Sequence, residues 1–243
     1  MIFDVNIAVG SYPSRRERFA DPDSEFDYLQ RNGIVGGFVR SLAAPFSADI
    51  YAANKDMIHN CAKHSTFLPA PAVRPGYEKW REIKSRAVTL YPGFHGYSLL
   101  ESSTIEMASV LARQGKTLLV VMREEDERGQ NPLCKIPQIP VSTLNEFAMC
   151  LDGAAIIAIN IYFNEIIQCT ASNLFCDFAA AEALDTLQQL QKKFPFERLL
   201  FGSNTPLFYT TGALAKIRDS ALDLSIIEMI QAGNIRRILN GKA

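Results

Sequence analysis

Thr117-Leu118-Leu119-Val120-Val121-Met122 offers apolar side chains to both faces of a strand, as a parallel strand does when it is covered on each side. Ile156-Ile157-Ala158-Ile159 repeats the pattern. Outward from these two, apolar runs of strand length recur about every thirty residues, room for one strand, one helix and two short loops. They lie at Ile2 to Val5, Val35 to Arg40, Phe67 to Val73, Ala87 to Tyr91, Thr117 to Met122, Ala155 to Ile161, Leu174 to Asp177 and Leu199 to Gly202.

Helical stripes fill the intervals. Ile50, Ala53, Met57, Ile58 and Cys61 form one apolar face, Ile105, Ala108, Leu111 and Ala112 a second, and Ala180, Ala183, Leu184, Leu187 and Leu190 a third. Eight alternating units predict an α/β fold, a (β/α)8 TIM barrel whose closure leaves no sheet edge. An open doubly wound sheet is the competing architecture. It is disfavoured because Ser11 to Arg18, after the first strand, is polar and arginine-rich where a glycine-rich phosphate loop would stand. No linker or break in composition divides the chain, so residues 1–243 are expected to form a single domain.

Charge narrows the partners. With 25 Lys and Arg against 26 Asp and Glu, the formal net charge is −1, which does not favour an electrostatic grip on nucleic acid or anionic lipid. No apolar run is long enough to span a bilayer, and the N-terminus enters a strand at once with no secretory pattern. Cys61, Cys134, Cys150, Cys169 and Cys176 lack CxxC spacing and suit reduced thiols. The expectation is a cytoplasmic protein with a small-molecule partner.

Four landmarks then resemble amidohydrolase-related barrels. Phe3-Asp4-Val5-Asn6-Ile7-Ala8 resembles their first strand, and Leu90-Tyr91-Pro92-Gly93-Phe94-His95-Gly96-Tyr97 their fourth-strand stretch. Arg198-Leu199-Leu200-Phe201-Gly202-Ser203-Asn204-Thr205-Pro206 resembles their closing Phe-Gly-Ser-Asp-x-Pro, and Gly233 to Leu239 the helix that follows. The family builds its site from two first-strand histidines, histidines ending strands five and six, and a strand-eight aspartate. Those places hold Asn6, Ala8, Met122 or Arg123, Asn160 and Asn204. The resemblance therefore implies an amidohydrolase-like barrel with degenerate metal positions. Amide and methyl groups are poor or useless ligands for zinc, so no tightly bound metal and no cofactor are expected.

Active sites of this fold lie at the C-terminal strand ends, so the polar tips are the candidates. Phe38 and Arg40, Ala70, Ala72 and Arg74, Ile156, Ala158 and Asn160, and Leu200, Gly202 and Asn204 are each read as sharing an inward face. Arg40, Arg74 and Arg123 would bind the carboxylate of an acidic small molecule. The plainer reading pairs these arginines with loop acids, since Arg123 is followed by Glu124, Glu125, Asp126 and Glu127. His95 is a candidate general base, with Asp177 the alternative base or an arginine's partner. Asn6, Asn160 and Asn204 would orient a carbonyl or hydroxyl, and Tyr91 would wall the substrate. Two functions follow: metal-independent hydrolysis of a small acidic lactone or ester, or a catalytically inactive barrel that binds a small anionic ligand or a protein partner. Arg123 to Pro140 suits a lid or an insertion over the mouth, the plainer reading being a solvated loop with internal ion pairs. The terminal stripe from Leu224 to Leu239 is expected to seal the outer layer and to offer a homo-oligomer contact.

Overall fold

The computed structural model describes residues 1–13, 16, 18–76, 78–130 and 135–241. Among the described residues, nine parallel strand segments build the sheet: β1 (Ile2–Val9), β2 (Ile34–Ser41), β3 (Phe67–Pro69), β4 (Ala72–Val73), β5 (Ala87–Leu90), β6 (Thr117–Val121), β7 (Ile156–Ile159), β8 (Leu174–Asp177) and β9 (Leu199–Leu200). β3 and β4 are one stave interrupted at Pro71, which has no N–H to give the ladder. The stave stays joined to both neighbours, because Ala70 N donates to Val39 O (2.7 Å) and Thr89 N donates to Pro71 O (2.9 Å). The last stave returns to the first through Val5 N to Phe201 O (2.9 Å), Ala8 N to Thr205 O (2.8 Å) and a parallel bridge between Ile7 and Thr205. Eight staves thus close a barrel.

The outer layer comprises α1 (Pro22–Arg31), α2 (Ile50–Cys61), α3 (Pro92–His95), α4 (Ser102–Arg113), α5 (Val141–Met149), α6 (Phe163–Ile166), α7 (Thr186–Gln191), α8 (Thr210–Arg218), α9 (Leu224–Glu228) and α10 (Asn234–Leu239). A 3-10 segment, Glu78–Glu82, stands in for the helix after the third stave. Strand alternation divides the core in two. Leu119, Val121, Ile157, Ile159, Phe175 and Leu200 fill the barrel, while Leu118, Val120, Ile156, Ala158 and Leu174 pack outward under the helices.

Several sequence expectations need correction. Ala158 faces outward, so simple alternation would send Asn160 outward too; a left-handed backbone at Asn160 (φ 57°) breaks the phase. In β1, Val5 joins the inner cluster and Ile7 the outer, because the register shifts between Asp4 and Ile7. Asp4 Oδ1 accepts Asn6 N (2.9 Å) across that bulge. The third helical stripe starts late. Asp185 is left-handed (φ 53°), Thr186 Oγ1 donates to Ala183 O (2.6 Å), and only Thr186–Gln191 is helical, leaving Leu184 84% exposed. The terminal stripe also differs, since Ile235 and Ile238 pack on the inner cluster while Leu224 is exposed. Among the described residues, no helix is long and apolar enough to cross a membrane. Residues 131–134, at the centre of the expected lid and including Cys134, lie outside the described residues.

Candidate functional site

Arg40, at the C-terminal end of β2, is the hub of the barrel mouth and is 1% exposed. Its Nη1 donates to both oxygens of Glu124 (2.6 and 2.5 Å), Nη2 to Asn204 Oδ1 (2.7 Å) and Nε to Asn6 Oδ1 (3.1 Å). Arg40 also donates to the Tyr91 hydroxyl oxygen, and that hydroxyl in turn donates to Ser41 O (3.3 Å). Asn6 Nδ2 passes the network on to Asn160 Oδ1 (2.6 Å) and Asp177 Oδ2 (2.7 Å). Asn160 N donates to Asp177 Oδ1 (3.1 Å), and Asn204 Nδ2 to Glu124 O (2.9 Å). Seven stave tips are thereby tied into one fully buried stopper across the axis.

The structure therefore corrects the reading of Arg40 as an open carboxylate fork: Glu124 already fills it. Arg123 is likewise committed. It donates to Asn160 O (2.7 Å) and to both oxygens of Glu165 (2.6 and 2.7 Å), and its guanidinium lies 3.7 Å from the Tyr162 ring centre. The acidic run after β6 turns inward to serve these groups. Glu124 takes Arg40, Glu125 accepts from Tyr12 Oη (3.2 Å), and Glu127 lies 3.4 Å from Arg123 Nε.

His95 and Asp177 are not brought together. His95 Nε2 donates to Ala44 O (3.0 Å), which leaves the lone pair on a buried Nδ1. Burial lowers the His95 pKa, the Ala44 carbonyl partly offsets that, and nearby Arg74 lowers it further. Arg74 thus stands with His95, while Asp177 belongs to the stopper. Burial pushes Asp177 up to about 7, against its hydrogen bond from Asn6, and pushes Asp4 up to about 6. Burial also raises Glu124, opposed by Arg40; the same Glu124 carboxylate outweighs the desolvation of Arg40 and holds that guanidinium firmly charged.

These protons make stability depend on pH. The folded protein keeps them to higher pH than the unfolded chain, whose aspartates titrate near 3.8. The stability these two groups contribute is therefore fully present below about pH 4 and falls as pH rises from about 4 to about 7, by about 1.4 kcal/mol per pH unit for each proton retained. Urea midpoints measured across that range for the wild type and Asp177→Asn are expected to show a shallower fall in the variant. Equal slopes would contradict the assignment.

The donors at the mouth do not suit a divalent metal. A guanidinium holds the centre, both Asp177 oxygens are engaged, and the remaining tips are amides. Among the described residues, no three His, Cys, Asp or Glu side chains group as ligands.

Beside the stopper, between the tips of β1, β2 and β9 and the start of α1, opens a cavity of about 420 Å³. Tyr12, Phe19, Leu42, Phe208 and Tyr209 give it apolar walls, with Arg16, Arg18, Asp21 and Glu25 as its charged lining. Glu25 sits in the first turns of α1, whose start is fixed by a reciprocal cap: Ser24 N donates to Asp21 Oδ1 (2.7 Å) and Asp21 N to Ser24 Oγ (3.4 Å). Glu25 and Arg18 were missed, although the arginine-rich stretch after β1 was the available signal.

No family model matches the chain, and no curated protein matches it in sequence. Solved structures match in shape over nearly the whole length. The 5-carboxyvanillate decarboxylase of Sphingomonas paucimobilis has a TM-score of 0.74 at 12% identity, covering 98% of each chain. A 2,6-dihydroxybenzoate decarboxylase complexed with 2,6-dihydroxybenzoate has 0.71 at 11%, covering 100% of this chain and 98% of that one. Amidohydrolase 2 of Bifidobacterium longum subsp. infantis has 0.70 at 13%, covering 98% of each. At such identities the likeness is one of fold: the chain shares the (β/α)8 barrel of these structures.

Proposed function

We propose that this barrel binds a small carboxylate-bearing molecule and does not turn it over at the axial site. The observation that carries the reading is the stopper: Arg40, Glu124, Asn6, Asn160, Asn204 and Asp177 satisfy one another at the place where the fold performs its chemistry. Opening it to substrate would leave a buried guanidinium or carboxylate unpaired, at about 3–5 kcal/mol. The concave hollow beside it favours a small ligand over a protein partner. Two fold neighbours named above act on small aromatic carboxylates, which supports that ligand class.

A second reading, metal-independent hydrolysis of a small acidic lactone or ester, draws on Asp177, whose pKa of about 7 suits a general base. One experiment separates the two. The protein is titrated by calorimetry with 2,6-dihydroxybenzoate and with coumalate, a lactone carrying one carboxylate, and the same mixtures are assayed for product with and without added zinc or manganese. Binding without product is the expected result. Product formation that Asp177→Asn abolishes establishes the second reading, and the absence of any binding at millimolar ligand overturns the first.

A further inference from the structure

We infer that the cavity beside the stopper is a site for a small zwitterion, an aromatic amino acid or a close analogue, whose ammonium meets Glu25 and whose carboxylate meets Arg18. This rests on the reading that the barrel binds a carboxylate, and adds where the ligand sits and what else it must carry.

The volume, about 420 Å³, is that of a pocket for one small molecule. Its two kinds of polar group ask for opposite charges. Glu25 is 3% exposed, lines the cavity, and has a buried Oε1 with no hydrogen-bond partner. A buried carboxyl oxygen left without a donor is costly, and nothing from the described protein supplies one. Arg18 is an exposed cation already pre-positioned. Its guanidinium lies 5.1–5.2 Å from the ring centres of Phe19, Tyr28 and Tyr209, and it donates to Tyr28 Oη (3.2 Å) and Phe208 O (3.4 Å). Such stacking fixes the plane of a fork suited to a carboxylate.

Simpler ligands fit less well. A plain carboxylate would satisfy Arg18 and bring no donor to Glu25, while a plain amine would face Arg16 and Arg18 across the lining. A zwitterion answers both, and the rings of Tyr12, Phe19 and Tyr209 supply faces for an aromatic side chain and for its ammonium. Burial raises the Glu25 pKa well above the ordinary range, with Arg18 lowering it and Asp4 raising it. Pairing with an ammonium therefore ionises Glu25 and releases its proton to solvent.

The test uses the full chain and three probes that differ by one group: phenylalanine, 3-phenylpropanoate, which lacks the ammonium, and 2-phenylethylamine, which lacks the carboxylate. Phenylalanine is expected to bind at least tenfold more tightly than either, with proton release detected by calorimetry in buffers of different ionisation enthalpy. Glu25→Leu should reduce phenylalanine to the level of 3-phenylpropanoate and abolish the release. Glu25→Gln, which keeps the side-chain shape, tests the release if the leucine variant fails to fold. Arg18→Ala, at an exposed position, should reduce phenylalanine to the level of 2-phenylethylamine. Equal binding of phenylalanine and 3-phenylpropanoate by the wild type overturns the zwitterion site and leaves the carboxylate reading standing; failure of all three probes at millimolar concentration, together with failure of 2,6-dihydroxybenzoate and coumalate, overturns both.

Discussion

Glu124→Leu is expected to destabilise the barrel by about 3–5 kcal/mol, because it strands the Arg40 guanidinium in the interior without its counter-charge. Arg40→Met should lose a similar amount by stranding Glu124. The double variant should lose much less than the sum of the two, with a coupling of about 2–3 kcal/mol, since an ion pair removed whole no longer leaves a lone charge behind. Recovery will be incomplete. Asn6 Oδ1 and Asn204 Oδ1 also accept from Arg40 and remain without that donor in the double variant. Urea unfolding of the four proteins checks this, and strictly additive losses would mean that the two side chains are not paired in the folded state.

Gly37→Ala is the second large effect. A methyl group there would overlap the Asp4 carbonyl oxygen and stand 2.5 Å from Ile7 Cδ1. The first of these neighbours is backbone, so relief requires β1 to move away from β2, and the bulge carrying Asp4 and Asn6 moves with it. A loss of about 3 kcal/mol is expected. Gly212→Ala is the control. It lies exposed in α8 with open space around a new methyl, and should gain up to about 1 kcal/mol from helix propensity. A Gly37→Ala variant that unfolds at the wild-type urea concentration would show that the strands do not approach as described.

The barrel was legible because each stave is a local apolar run, and those runs fall where β1 to β9 lie. The break at Pro71 was hidden inside one such run, where a single ring removes a donor without disturbing hydrophobicity. Phase was legible only while the backbone stayed regular. Phe38 and Arg40 obey alternation, whereas Asn160 reaches the mouth through a left-handed turn and Asn6 through a bulge, neither of which is written in side-chain pattern. The arginines were found, but their role depended on Glu124 and Glu165, partners supplied by the loop after β6 and by α6. Pairing across such separations is decided by the closed barrel, so a list of charged tips could not separate an open fork from a filled one. Glu25 shows the converse: an ordinary acid in an amphipathic helix becomes notable only once the fold deprives it of a donor.

The interlocking amides and ions also constrain how such a chain can evolve. Installing one histidine in place of Asn6 would deprive Arg40, Asn160 and Asp177 of a partner simultaneously while adding a single imidazole, too little to capture an ion. Building a metal centre at these tips would consequently demand concerted replacement at several of them, because each single exchange breaks more contacts than it makes.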